Sequence, residues 1–233
     1  MLFDDRVDAA KQLGVRLKEW LDINNVAIQG ELKYNNTVIV LAIPRGGVVV
    51  GDVIASMLGL KLDIIVSRKI GAPDNPELAL GAVMQDGSYS LNSDIVDMLN
   101  VPRSYISEQA NVQKKEIERR LMMFKGKEGS DYYYNNFEGK TVVLVDDGIA
   151  TGATILSAAH WLRTKHNRCK MIVVAVPVAP ADVIHKINEL AYKVIVLYTP
   201  EIFGSVGRFY RNFEQISDAQ VREIMIRHGH RPL

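Results

Sequence analysis

Five short apolar runs with helical stretches between them predict an α/β fold: an open, mainly parallel five-stranded sheet with helices on both faces, plus a small hood or lid. The runs, at residues 37–43, 62–66, 141–145, 171–176 and 193–197, are rich in β-branched residues and apolar at successive positions. Strands of that kind are covered on both sides. Helical spacing marks residues 48–58, 102–124, 154–166 and 181–190. Strand and helix in alternation are the pattern of a parallel sheet with helices on its faces.

The elements follow in order. Residues 5–23 predict an amphipathic helix, with Val7, Ala10, Leu13, Leu17, Trp20 and Leu21 on one side and Arg16, Lys18 and Glu19 on the other. An Asn-rich stretch leads to the first strand. Residues 71–100 break the alternation. They open with Gly71-Ala72-Pro73-Asp74-Asn75-Pro76 and show little helical spacing before Asp94, which predicts a lid or a small side hairpin. Residues 125–139 are polar and Tyr-rich and predict a surface loop. From Asp218 helical spacing resumes through Val221, Ile224 and Met225. There is no internal repeat. The expectation is one domain over 1–233, with its core at about 37–200 and a hood or lid from the terminal segments and about 71–100.

A chain of 233 residues can bury roughly 70–75% of its unfolded surface, so its core needs no staple. Lys and Arg total 28 against 27 Asp and Glu, a net charge of +1, which argues against nucleic acid or a membrane surface as partner. The single Cys169 excludes an internal disulfide and a multi-cysteine zinc site. The five histidines form no metal-ligand pattern. An acidic start at Asp4-Asp5 and the lack of an apolar run near ~20 residues lead to the expectation of a cytoplasmic protein.

The stretch 142–154 carries the chemistry. A buried strand ends in Asp146-Asp147, the small loop Gly148-Ile149-Ala150-Thr151 follows, and a helix begins near Gly152-Ala153-Thr154. Small residues let backbone N–H groups approach a ligand, and a helix N-terminus adds unpaired donors and about half a positive charge. Together they form a phosphate cradle, with the Thr151 and Thr154 hydroxyls as further donors. The two carboxylates would repel that phosphate, so their use lies beside it, accepting from a sugar diol or holding Mg²⁺. Phosphate, diol and metal in a row describe a ribose 5-phosphate. Taken alone, the acid pair reads equally as a strand-ending turn. No Lys follows the glycine as in a P-loop, and the glycine spacing is not that of a dinucleotide fingerprint.

This string resembles the signature of the type I phosphoribosyltransferases. The resemblance implies use of 5-phosphoribosyl 1-diphosphate (PRPP) with Mg²⁺, and displacement of diphosphate from ribose C1 by a nucleobase-like acceptor. It implies that Asp146 and Asp147 hold the ribose hydroxyls and the metal shell, and that Ile149, Ala150, Thr151, Gly152, Ala153 and Thr154 wrap the 5′-phosphate. Arg45-Gly46-Gly47, after the first strand, resembles the family's diphosphate loop. Arg68-Lys69, after the second, resembles a catalytic pair ahead of a mobile loop, and with Arg45 would stabilise the leaving group. Strings such as Arg68-Lys69-Ile70-Gly71-Ala72-Pro73 and Gly204-Ser205-Val206-Gly207-Arg208-Phe209-Tyr210 look like a group of predicted phosphoribosyltransferases of unassigned substrate. Ala150 stands where enzymes for 6-oxopurines usually carry Asp, which disfavours hypoxanthine or guanine.

The acceptor is expected to meet a hood containing Phe203, Phe209 and Tyr210, since bases stack on aromatic faces. Arg208 and Arg211 are open to an anionic acceptor or to no role, and Glu77 to metal, acceptor or solvent. A homodimer is expected from the resemblance, with Met122, Met123 and Phe124 as candidate contacts. Two other readings remain open: a PRPP-binding regulator without catalysis, and a hydrolase of a phosphorylated sugar.

Overall fold

A computed structural model describes residues 2–24, 26, 37–126, 137–163 and 169–232. Its elements are α1 (Arg6–Ile23), β1 (Val38–Ala42), α2 (Gly46–Leu58), β2 (Lys61–Ile64), β3 (Arg68–Gly71), β4 (Ala79–Val83), β5 (Tyr89–Leu91), α3 (Ser93–Met98), α4 (Arg103–Lys125), β6 (Thr141–Val145), α5 (Ala153–Leu162), β7 (Met171–Val178), α6 (Ala181–Asn188), β8 (Lys193–Tyr198) and α7 (Asp218–Arg227).

Five strands form one sheet in the order β2-β1-β6-β7-β8, every neighbouring pair parallel. Because side chains alternate along a strand, each apolar run feeds two cores. Val38, Val40, Val143, Val145 and Val173 face the layer of α1, α2, α4 and α7. Ile39, Leu41, Val142, Leu144 and Val174 face α5 and α6. At ~1.5–3 kcal/mol for each fully buried aliphatic side chain, this two-sided burial is what selects strand over helix for these runs.

The segment 71–100 is a small antiparallel sheet with a short helix, completed by Arg68, Lys69 and Ile70 before it: β3, β4 and β5 pair in that order. The Tyr105 hydroxyl on α4 donates to the Gly71 carbonyl at 3.1 Å. Trp161 Nε1 donates to Asp86 Oδ2 at 2.8 Å, tying the β4–β5 turn to α5.

Other expectations are corrected. On α1, Val7 is exposed and Arg6 is buried instead. The loop expected over 125–139 is not all surface: Lys125 ends α4 in a buried ion pair with Asp63 at 2.7 Å, and Phe137 packs edge-on against Trp161. Phe124 is core, so it offers no dimer contact. The helix expected at 48 begins at Gly46, and the one expected over 154–166 runs Ala153–Leu162; residues 164–166 lie outside the described ones.

The N-terminal residues meet the 209–213 segment, which follows β8, at the C-terminal edge of the sheet. Leu2 and Phe3 N–H both donate to the Phe209 carbonyl at 2.9 Å, and Arg211 N–H donates to that of Phe3 at 2.8 Å. The rings of Phe3, Tyr210 and Phe213 continue this contact, with centroids 5.3 and 4.9 Å apart.

Candidate active site

The chain leaves β1 toward β2 on one side and β6 toward β7 on the other, so a crevice opens between the C-terminal ends of β1 and β6. Open α/β sheets bind ligands at such a switch point. The segments leaving these two strands are in contact. A Cβ on Gly46 would overlap the Asp147 carboxylate, and one on Gly47 would lie 2.9 Å from Asp146 Cα. The glycine pair is therefore required by the close approach of the acids. Both glycines form the first turn of α2, with Arg45 as N-cap, so unpaired helix N–H groups face the crevice end of the sheet. The Pro44–Arg45 peptide bond is cis.

Asp146 Oδ1 accepts from the Asp147 N–H at 2.8 Å, and burial together with the Asp147 charge pushes the Asp146 carboxyl well up. Asp147 is held from three sides. Arg6 Nε donates to its Oδ2 at 2.7 Å, while Arg6 Nη1 donates to the Glu214 carbonyl at 2.8 Å. The same guanidinium lies 3.7 Å over the Phe213 ring. The Tyr210 hydroxyl donates to the Asp147 carbonyl at 2.5 Å, and burial, chiefly, pushes that phenol up, which keeps it a donor.

Beyond the acids, residues 148–155 and Asp146 line a cavity of about 170 Å³. Ala150, Thr151, Ala153 and Thr154 are exposed around it. Among the described residues, no acceptor meets the N–H groups of Ala150, Thr151, Gly152 or Thr154, and that of Ala153 reaches Thr151 Oγ1 only at 3.5 Å. This is an open ring of donors at the start of α5. Gly152 caps that helix at φ +78°, and a Cβ there would strike Val183. Ile149 departs from the expectation: its N–H donates to the Val178 carbonyl at 2.8 Å and its side chain is core, so it anchors the loop.

The cations are placed differently. Arg45 Nη1 lies 3.5 Å from Asp218 Oδ1 at the start of α7. Arg68 Nε donates to Gln113 Oε1 at 3.1 Å, and Lys69 Nζ pairs at 3.1 Å with a Glu77 that is 91% exposed. Those contacts draw Arg68 and Lys69 to α4 and the 71–78 turn. In the hood, Phe203 and Phe209 are half-buried with centroids 5.6 Å apart. Tyr210 is buried, so it offers no open stacking face and serves beneath Asp147 instead. Sequence reasoning missed Arg6. Its signal was a charge on the apolar face, since Arg6, Ala10, Leu13 and Leu17 share helical spacing.

A family model described as the phosphoribosyl transferase domain matches residues 16–211. Two provisionally named phosphoribosyl transferases from strains of Mycobacterium tuberculosis are each 40% identical over 220 residues, 94% of this chain and 45% of theirs. The crystal structure of TT1426 from Thermus thermophilus is 34% identical, with a TM-score of 0.73, covering 97% of this chain and 99% of that one. The chain belongs to the phosphoribosyltransferase family. It spans less than half the length of the mycobacterial relatives it matches. The family's matched region includes both crevice loops and the Arg68-Lys69 pair, while Arg6 precedes it. Among the described residues, no group of three or more His, Cys, Asp or Glu is placed to hold a metal, and no helix is long and apolar enough to cross a membrane.

Proposed function

We propose that this chain is a PRPP-dependent phosphoribosyltransferase that takes a small nucleobase-like acceptor. One observation carries the reading: the acid pair, the open donor ring after it and the Gly46-Gly47 turn form one crevice at the switch point. The 5′-phosphate sits on the N–H groups of Ala150, Thr151, Gly152 and Thr154, with the two threonine hydroxyls. Asp146 and Asp147 accept from the ribose hydroxyls, Asp147 in the orientation fixed by Arg6. The diphosphate faces the N-terminus of α2 and Arg45, with Arg68 and Lys69 as further cations.

In the transfer, a ring nitrogen of the acceptor forms the C1–N bond as the C1–O bond to diphosphate breaks. The electron pair of that bond leaves on diphosphate, and the proton displaced from the acceptor nitrogen passes to water. Charge grows on the leaving group and on a ribose centre that becomes cationic, so preorganised donors and exclusion of water are what the chain contributes.

The donor set fits Mg²⁺. Asp146 Oδ2 and Asp147 Oδ1 are not engaged by donors among the described residues, and Mg²⁺ takes one or two carboxylates with substrate oxygens and water. When bound, it supplies positive charge beside the diphosphate.

Calorimetric titration of PRPP with Mg²⁺, beside ribose 5-phosphate and AMP, tests this reading. Micromolar PRPP binding, clearly tighter than ribose 5-phosphate, is expected. Equal binding of all three leaves only a phosphate cradle, and no binding overturns the assignment.

A further inference from the structure

We propose that Asp218 is the resting counter-ion of Arg45, and that diphosphate takes its place on that guanidinium when it binds. Asp218 is then a positioning residue that sets how tightly diphosphate is held. This rests on the phosphoribosyltransferase reading and adds to it a residue beyond the family's matched region, which ends at residue 211.

The segment after β8 touches the crevice loops in succession. Tyr210 donates to the Asp147 carbonyl, the Glu214 carbonyl accepts from Arg6, and Asp218 Oδ1 lies 3.5 Å from Arg45 Nη1. Asp218 holds its place without Arg45. It stands at the first position of α7, where a carboxylate meets the positive end of the helix, and Ser217 and Gln220 close a capping box around that start. Val221, Ile224 and Met225 bury the inner face of α7. At its far end Arg227 Nη2 donates to Asp52 Oδ2 at 2.6 Å and His228 Nε2 lies 2.8 Å from Asp52 Oδ1, which fastens α7 along α2.

Arg45 depends on Asp218 far more than Asp218 depends on it. Among the described residues the Asp218 carboxylate is its ionic partner, through one nitrogen, with 35% and 47% of the two side chains exposed. Arg119 on α4 also feels the Asp218 charge, but its Nε and Nη2 both donate to Glu116, at 2.7 and 3.0 Å. A long, half-exposed pair of this kind contributes little, and the rest of the Arg45 fork stays open to a bidentate phosphate. Arg45 is also the N-cap of α2, whose first N–H groups face the crevice. Diphosphate bound there carries more negative charge than one carboxylate, so the guanidinium exchanges Asp218 for the ligand and returns to Asp218 when diphosphate leaves.

The test is calorimetric titration of the full chain with inorganic diphosphate and Mg²⁺, beside ribose 5-phosphate. Asp218→Asn is expected to bind diphosphate about threefold to fivefold tighter than the parent, the effect of one exposed ion pair no longer broken on binding. Asp218→Glu, which keeps the charge, should return to the parent's affinity. In an Arg45→Gln background the change Asp218→Asn should leave diphosphate binding as it was, because no guanidinium remains to be released. Ribose 5-phosphate should bind Asp218→Asn as it binds the parent, since its cradle lies at the start of α5; this also shows that the variant folds. Unchanged or weaker diphosphate binding by Asp218→Asn, an equal gain for ribose 5-phosphate, or a gain that survives Arg45→Gln overturns the proposal. PRPP titration of the parent separates the two readings: PRPP binding with no gain from Asp218→Asn removes only the exchange, and absent PRPP binding removes the activity and the exchange with it.

Discussion

The Arg6 guanidinium and the Asp147 carboxylate, 141 residues apart, meet at 2.7 Å with 9% and 15% of their side-chain surfaces exposed. An exposed pair would contribute little, but removing one partner of a largely buried pair leaves a charge without compensation. The first helix thereby sets the position of the Asp147 carboxylate, and the Glu214 carbonyl and Phe213 ring fix the guanidinium in turn.

Arg6→Ala should lower unfolding free energy by about 3 kcal/mol, the low end for a broken buried pair, and weaken PRPP binding at least tenfold. Arg6→Lys keeps the charge but cannot donate to Asp147 and Glu214 in one plane, so its losses should be intermediate. Denaturant unfolding and PRPP calorimetry measure both. If Arg6→Ala matched the parent in both measurements, the coupling would be without consequence.

Gly46→Ala and Gly47→Ala should each weaken PRPP binding by about tenfold or more. The new methyl meets the Asp147 carboxylate in one case and the Asp146 backbone in the other, and Arg6 prevents Asp147 from retreating. Overpacking of this kind costs ~1–3 kcal/mol, and ~1.4 kcal/mol is a factor of ten. Gly59 is the control: at φ +64° with open space around it, Gly59→Ala should cost ~1–2 kcal/mol of stability and leave binding intact. A Gly46→Ala variant that binds like the parent would show that the two loops move apart in solution.

Thr151→Val and Thr154→Val remove one hydroxyl each from exposed positions on the cradle. A hydrogen bond to a charged group contributes ~1.5–3 kcal/mol, so each should lower affinity for ribose 5-phosphate roughly tenfold to a hundredfold. Thermal midpoints should not change. A drop in the midpoint with unchanged affinity would reassign the hydroxyls to holding the loop.

The parallel sheet was legible because its strands are buried on both faces, which leaves an unmistakable run such as Val142-Val143-Leu144-Val145. The loop at 148–152 was legible as a short connection of small residues between strand and helix, and the structure leaves its N–H groups open. The anchoring of Ile149 was not legible, since its backbone partner, the Val178 carbonyl, belongs to another strand and no local pattern announces it. The roles of Arg6 and Tyr210 were hidden for the same reason: each acts on Asp147 across a contact between segments far apart in the sequence. Arg68 and Lys69 were legible as a pair, but their neighbours Gln113 and Glu77 were not.

Glu116 gives a prediction at acid pH. Hydrogen bonds from Arg119, then Arg120, hold its carboxyl down at about 2. The unfolded chain, with an ordinary Glu near ~4.3, takes up the proton first as pH falls. The pair's contribution is therefore complete at neutral pH and is lost between about pH 4.5 and about pH 2. The Arg119 side chain is 56% exposed, so screening limits that contribution to ~1 kcal/mol or less. Glu116→Gln should be slightly less stable than the parent at neutral pH, and the gap should close as pH falls through this window. Molar salt, with a Debye length of ~3 Å, should also shrink it at neutral pH. Urea unfolding of both proteins across that range reads the gap directly. A gap that persists at the acid end would mean that Glu116 acts through packing rather than charge.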